Sequence, residues 1–358
     1  MPYYVIGTPG LPTMVMAEQA GIDRVSPLWL GIGVSVSLVV VLIISETVFG
    51  RWDLLFVDDD FDPLARVQTG VLRDLRIAVV HCLLVGYLPA ALLHVLQHGK
   101  RTVARLQGAL NCTSQECERL ARSIRLSKRG LLVAAIIGIA VAFLPPHFVE
   151  PVPEAPWHPR NWNPEVAWHR ILGPIMGVGL AWLVYAIFVV SLRMSRIAQR
   201  LSRIDLLDLS SLSPFAQQGL NNALLLVGVL SISALMMLET GFMKLIIVIG
   251  TGTLVLAGLA LLAPVRGVQK RVREAKQREL DWTAAEISRL REGFANADPD
   301  RRSGDLADIV AYRTVVAGVS EWPFTGSTYV RLVIYALIPL ASWGLGVVAE
   351  AVIGRLLF

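Results

Sequence analysis

Residues 245–263 read LIIVIGTGTLVLAGLALLA, a run of 19 residues without a single charged side chain. An α-helix needs about 20 mostly apolar residues to cross roughly 30 Å of hydrocarbon. Runs of similar length and composition recur along the chain, at about 28–48, 77–97, 131–149, 171–192, 222–239, 243–264 and 328–350. The pattern predicts an all-α fold, a polytopic transmembrane helical bundle of about seven spans.

The composition of the whole chain agrees with this prediction. Hydrophobic residues make up 54% of the chain and charged residues only 17%, whereas soluble proteins carry about 25% charged residues. A soluble globular enzyme, a nucleic-acid-binding domain and a disordered regulator are therefore disfavoured. The net charge of +5 comes from basic residues between the spans, so we expect it to set membrane topology rather than to bind nucleic acid.

The basic residues also predict an orientation. Eight lie in connection 98–130, four in 193–221 and eleven in 265–327, whereas the alternate connections 49–76 and 150–170 hold four and two. Lys and Arg accumulate in cytoplasmic loops. We therefore expect the three richer connections and the N-terminus to be cytoplasmic, in a multi-pass protein of the bacterial inner (plasma) membrane.

The chain divides by composition into three parts. Residues 1–264 form a transmembrane bundle of six spans, 265–327 a cytoplasmic helical region, and 328–358 the last span with an apolar tail. Segment 150–170 is rich in Pro and Trp, which exclude regular structure and favour the membrane–water interface. We expect it to be an external cap.

The cytoplasmic region has the pattern of a helical hairpin. Apolar residues recur at helical spacing over 265–294, a loop rich in Asp follows at 295–304, and a second helix is predicted over Leu306–Val319. Such a hairpin either packs on itself, mediates oligomer contacts or recruits a soluble cytoplasmic protein.

Three polar residues mark one face of the second span. Tyr87, His94 and His98 are spaced i, i+7 and i+11, which places them within about 20° on a helix, and Pro89 permits a kink. Polar residues inside a span usually face a cavity or the bundle interior. We predict a transport path along this face and add Glu350 near the end of the last span; the alternative is that the histidines contact lipid headgroups.

Small residues predict close helix contacts. Gly173 and Gly177 have the Gly-x-x-x-Gly spacing that lets two backbones approach, and Gly250 and Gly252 frame a Gly-Thr-Gly-Thr run. A filter-like role for that run would require non-helical backbone, and nothing in the sequence breaks the helix. We therefore predict helix packing for all four glycines.

A basic cluster follows the sixth span directly on its cytoplasmic side. Clusters of this kind attract anionic membrane lipids, although the ordinary retention of a loop in the cytoplasm accounts for them equally well. The predicted headgroup contacts are Arg266, Lys270, Arg271 and Arg273.

The sequence contains no set of residues that specifies catalysis, a metal or a cofactor. A phosphate loop, a nucleophile elbow and a His-Glu-x-x-His motif are all missing from it. Cys112 and Cys117 have no neighbouring histidine to complete a zinc site, and we expect both to be reduced thiols. Neither enzymatic activity nor a bound metal or cofactor is predicted.

Two segments in the second half have a familiar pattern. One runs from Ile204-Asp205-Leu206-Leu207-Asp208 to Gly219-Leu220, and the other from Glu321-Trp322-Pro323-Phe324 to Ser342-Trp343. In these segments, roughly 204–220 and 321–343, the chain resembles a group of uncharacterised bacterial polytopic inner-membrane proteins. The resemblance implies a membrane location but carries no activity.

These observations favour a homo-oligomeric channel or transporter for an ion or small solute. The oligomer is inferred from the hairpin and from the glycine-rich last span, both of which offer surfaces to a second copy. The alternative is a membrane-anchored signalling or scaffold protein whose cytoplasmic helices recruit a soluble partner.

Overall fold

The computed structural model describes residues 25–48, 71–143, 164–201, 204–235, 243–293 and 299–322, together with 330, 334 and 337. Within these ranges every regular element is helical and none is a strand, so the predicted all-α class is confirmed there. The helices are α1 Pro27–Val48, α2 Val71–Arg105, α3 Gln107–Leu110, α4 Ser114–Arg122, α5 Lys128–Ala142, α6 Pro164–Ala198, α7 Ser213–Ala234, α8 Met243–Leu262, α9 Arg266–Gly293 and α10 Pro299–Gly318.

Four described segments are long and apolar enough to cross a membrane: Pro27–Val48, Ile77–Arg105, Arg170–Ala198 and Leu209–Ala234. A fifth is obtained if α8 and α9, which are bent by 41°, are counted as one span. The third predicted span is a helix of only 15 residues as far as it is described. Most of the seventh predicted span, its apolar tail and most of the external cap lie outside the described residues.

Several of these helices expose wide apolar surfaces. On α1 only Leu42 is buried, while Leu28 and Trp29 are 66% and 71% exposed. Helices α5 and α8 likewise expose Ile136 and Val255. Patches of this size are rare on soluble monomers, whereas lipid tails solvate them without cost. The surface is therefore that of a membrane-embedded protein.

The chain separates into two compact units. The first contains residues 1–97, 132–183 and 235–245, and the second contains the rest. In the first unit, α1 and α2 contact each other at Gly86, which has no side chain. A Cβ at Gly86 would overlap the side chain of Ser35 and the carbonyl of Gly31. This contact is built from Gly31-x-x-x-Ser35 against Gly86, a small-residue spacing typical of membrane helices.

In the second unit, α9 and α10 pack against each other in antiparallel directions. Lys276 Nζ donates hydrogen bonds to the backbone carbonyls of Ala317 at 2.7 Å and Val319 at 2.9 Å. The rings of Trp282 and Tyr312 meet edge to face, 6.3 Å apart. Both helices were predicted, but α10 begins earlier than expected.

The loop predicted over 295–304 is wrong from Pro299 onward, where α10 begins. Proline is favoured at the first helical position, because its fixed φ suits the helix and its missing N–H has no partner there.

Cys112 and Cys117 are brought side by side, with their sulfur atoms in direct contact, and the expectation that both are reduced thiols stays a prediction. Asn111 ends α3 with φ of 47°, which turns the chain back on itself. Thr113 and Glu116 then form a capping box that starts α4. These two local features bring the cysteine Cα atoms to 6.0 Å, a separation that a disulfide spans.

Candidate functional site

Five polar side chains meet in the second unit, on three of the helices that are long enough to span a membrane. They are His98 and Thr102 on α2, Ser191 on α6, and Gln218 and Asn222 on α7, and we call them the polar cluster. All except His98 are fully buried. Burying a polar group without a hydrogen bond costs roughly 2–7 kcal/mol, so an arrangement of this kind requires partners for each group.

Hydrogen bonds join the five residues into one chain. His98 Nδ1 lies 2.7 Å from Gln218 Oε1, which also accepts from the Thr102 hydroxyl at 3.1 Å. The Gln218 amide nitrogen donates to Asn222 Oδ1 at 2.9 Å, and the Asn222 amide nitrogen donates to Ser191 Oγ at 3.0 Å. The cluster thus links α2, α7 and α6 through side chains alone.

The bonds between the side chains of His98, Gln218, Asn222 and Ser191 all have the same direction. With Gln218 Oε1 as the acceptor, His98 carries its proton on Nδ1, and each later amide donates onward toward Ser191. Rotation of both amides by 180° would reverse the whole chain and would require the other tautomer of His98. The tautomer of one imidazole is therefore coupled to the orientation of two buried amides.

Local sequence explains how these residues come to face each other. His98 and Thr102 are one helical turn apart, as are Gln218 and Asn222, so each pair lies on one side of its helix. Before α7, Asp208 caps a short 3-10 turn at Leu209–Leu212 by accepting from the Ser210 amide at 2.9 Å. Hydrogen bonds from the side chain and the backbone N–H of Ser210 lower the pKa of Asp208.

Of the predicted transport-path residues, His98 belongs to the polar cluster. Tyr87 and His94 lie on α2 in the first unit and are half-buried, and Glu350 lies outside the described residues. The sequence analysis missed Thr102, Ser191, Gln218 and Asn222. The segment Gln217-Gln218-Gly219-Leu220-Asn221-Asn222 carried the signal, because four carboxamides in six residues are unusual at the start of an apolar helix.

His81, on another face of α2, is buried and donates from Nδ1 to the Ile77 carbonyl at 2.7 Å. The bond stays within one helix turn. This geometry suits a packing residue and makes His81 a useful control for the other histidines.

The four predicted packing glycines have different surroundings. A Cβ at Gly177 would overlap the carbonyl of Gly138 on α5 and lie 3.0 Å from Ala142 Cβ. At Gly250 it would make ordinary contact, 3.4 Å from Leu230. No described atom lies within 4 Å of the position that a Cβ would take at Gly173 or Gly252.

The predicted lipid-headgroup residues also differ among themselves. Arg271 is half-buried, donates to the Leu201 carbonyl at 2.7 Å and approaches Glu274 at 3.5 Å. Lys270 reaches Glu274 only at 4.0 Å, and Arg266 and Arg273 are exposed. Arg266, Lys270 and Arg273 are thus exposed, whereas Arg271 is held against the protein.

No protein-family model matches the chain, and neither a curated protein nor a solved structure matches it. Its function must therefore be argued from its own residues. Within the described ranges, no group of three His, Cys, Asp or Glu side chains is arranged to hold a metal ion.

Proposed function

We propose that this chain conducts an ion or small polar solute across the bacterial inner membrane as a homo-oligomer. The observation that supports this proposal best is the polar cluster, because polar side chains buried on spanning helices usually belong to a substrate or ion path. The coupling between His98 and the amides of Gln218 and Asn222 suits a proton or a species that hydrogen-bonds. No enzymatic step and no cofactor is part of the proposal.

The proposed topology has seven spans, with a cytoplasmic N-terminus and a cytoplasmic hairpin formed by α9 and α10. The distribution of Lys and Arg supports this orientation. A Ser303→Cys variant in intact cells tests it. We expect no labelling by an impermeant thiol reagent until the cells are opened; labelling of intact cells would reverse the orientation.

Flux through proteoliposomes tests transport itself. The parent should pass protons or small ions above the level of empty liposomes, and Gln218→Leu should abolish that flux because it removes the central acceptor and donor. Gln217→Leu is the matched control, since Gln217 is the neighbouring residue, has the same side chain and is exposed. Equal flux in both variants would remove the polar cluster from the path.

A scaffold is the second candidate function. Helices α9 and α10 expose Trp282, Val310 and Val315, and large apolar side chains on a cytoplasmic helix pair suit a soluble partner. A parent protein that gives no flux under voltage, tension or a pH gradient, but co-purifies with a soluble protein that Trp282→Ala releases, would favour the scaffold. A symmetric particle with a polar central axis would favour the channel.

A further inference from the structure

A second site lies in the second unit, at the C-terminal end of α6. There the chain forms a cleft of about 840 Å³ between α6 and the segment that carries α3 and α4. Arg193, Arg196 and Arg200 line one wall, spaced i, i+3 and i+7, and Arg119 of α4 adds a fourth guanidinium. We call it the arginine cleft.

The cleft carries a net positive charge. Four arginines line it against a single acidic residue, Glu116. The Glu116 carboxylate is already occupied, because it accepts hydrogen bonds at 2.9 Å from both the backbone N–H and the hydroxyl of Thr113. Those bonds lower the pKa of Glu116. The carboxylate therefore stays ionised as a helix cap and leaves most of the positive charge uncompensated.

Among the residues that the structure describes, none of the four arginines forms an ion pair with an acidic side chain, although the charge of Arg119 acts on the Glu116 carboxylate. The ion pairs found there join other residues, such as Arg122 to Glu118. A helix C-terminus favours nearby cations, and both Arg119 of α4 and Arg196 of α6 lie in the last turn of their helices. What the helix-end effect does not require is that two separate helices bring four guanidinium groups to one cleft, and this convergence suits a shared anionic ligand.

The type of basic residue indicates which chemical class of ligand the cleft binds. The guanidinium group is planar and binds two phosphate oxygens at once, whereas a lysine ammonium is a point charge. Arginine is the only basic residue type that lines the cleft. The apolar side chains of Leu110, Leu120 and Ile197 complete its walls. The spanning segment of α6 ends at Ala198, so the arginines lie where phosphate-bearing headgroups are found.

We propose that the arginine cleft binds the phosphate group of an anionic ligand, supplied either by a membrane lipid headgroup or by a soluble phosphate. This site is distinct from the exposed basic residues of α9 and does not depend on transport by the polar cluster.

Thermal unfolding of the full chain in nonionic detergent tests the proposal, because a ligand that binds the folded state raises the unfolding midpoint. The probes are phosphatidylglycerol against phosphatidylcholine, and inorganic phosphate against chloride at equal ionic strength. We expect one phosphate probe to stabilise the parent. The triple variant Arg193→Gln, Arg196→Gln, Arg200→Gln should need at least about tenfold more of it, since each arginine supplies charge-assisted bonds.

The matched control is Arg278→Gln, Arg291→Gln, Arg313→Gln, which removes the same charge from exposed residues of α9 and α10. It should respond to the probe as the parent does. If the triple variant does not fold, the pair Arg196→Gln, Arg200→Gln replaces it, because both side chains are exposed.

The results distinguish a lipid headgroup from a soluble phosphate as the ligand of the cleft. Stabilisation by phosphatidylglycerol without an effect of inorganic phosphate assigns the cleft to a lipid headgroup, and an equal effect of inorganic phosphate assigns it to a soluble ligand. Three results overturn the proposal: a parent that responds to no phosphate probe, a cleft variant that titrates like the parent, or a control variant that loses as much as the cleft variant. The last result would mean that the phosphate probe is attracted by the net charge of the protein rather than by the arginine cleft.

Discussion

The polar cluster and the contact between Gly138 and Gly177 both join α6 to a neighbouring helix, but they use opposite physics. At Gly177 the backbones of α5 and α6 touch because neither residue has a side chain. In the polar cluster, amide and hydroxyl side chains connect the helices by hydrogen bonds. The first contact depends on shape and the second on the partners of each polar group.

The comparison shows which substitutions each contact tolerates. A glycine contact fails when any atom is added, since a carbonyl cannot move aside as a flexible side chain can. A hydrogen-bonded contact fails when a polar atom is replaced by an apolar one, because the remaining polar groups stay buried without partners.

The largest effect is expected from Gly177→Leu. Its side chain would collide with the carbonyl of Gly138 and with Ala142, and overpacking of this kind costs about 3 kcal/mol or more. The unfolding midpoint in detergent measures the loss. Gly173→Leu is the control, because no described atom lies within 4 Å of its Cβ position. Equal stability of Gly177→Leu and the parent would mean that this face meets only lipid.

A smaller loss of stability is expected from Gln218→Leu. The change removes the donor to the buried Asn222, and one buried group left unsatisfied costs about 1–3 kcal/mol. Thr102 keeps its hydrogen bond to the His98 carbonyl, and His98 is only half-buried. Gln217→Leu should leave the midpoint nearly unchanged. If Gln218→Leu proves as stable as the parent, hydrogen bonding does not hold α2 against α7.

The histidines should separate function from packing. Imidazole changes charge between about pH 5 and 8, so His94→Ala with His98→Ala should flatten the pH dependence of flux. His81→Ala should lower stability, because His81 is buried and bonded to Ile77, yet leave that pH dependence unchanged. Flux at several pH values, normalised to incorporated protein, measures the difference. A double variant that titrates like the parent would assign the path to other residues, with α8 the first to test.

The smallest effect is expected at the α4 cap. Hydrogen bonds from Thr113 lower the pKa of Glu116 below its unfolded value, so this cap stabilises the fold above the unfolded pKa. The contribution is lost as the pH falls through the folded pKa. Thr113→Ala should raise the pKa of Glu116 and weaken the acid dependence of α4 stability, as followed by carboxyl NMR. An unchanged Glu116 titration would contradict the capping geometry.

Features contained within one helix were predictable from the sequence. The apolar lengths of α1, α2, α6 and α7 and the Gly-x-x-x-Gly spacing at Gly173 and Gly177 are local patterns. They follow from the rise and periodicity of a helix and need no knowledge of its neighbours. The start of α10 at Pro299 was equally local, and it was missed because proline both breaks and begins helices.

The sequence by itself therefore determined the helices and their apolar surfaces, since these depend only on residues close in the chain. Only the tertiary structure decided which polar residues meet. Gln218 and His98 are 120 residues apart, and Gln217 and Gln218 are chemically identical neighbours of which one is exposed and the other fully buried. A rotation of α7 by about 100° would exchange them, and that rotation is set by packing against α2 and α6.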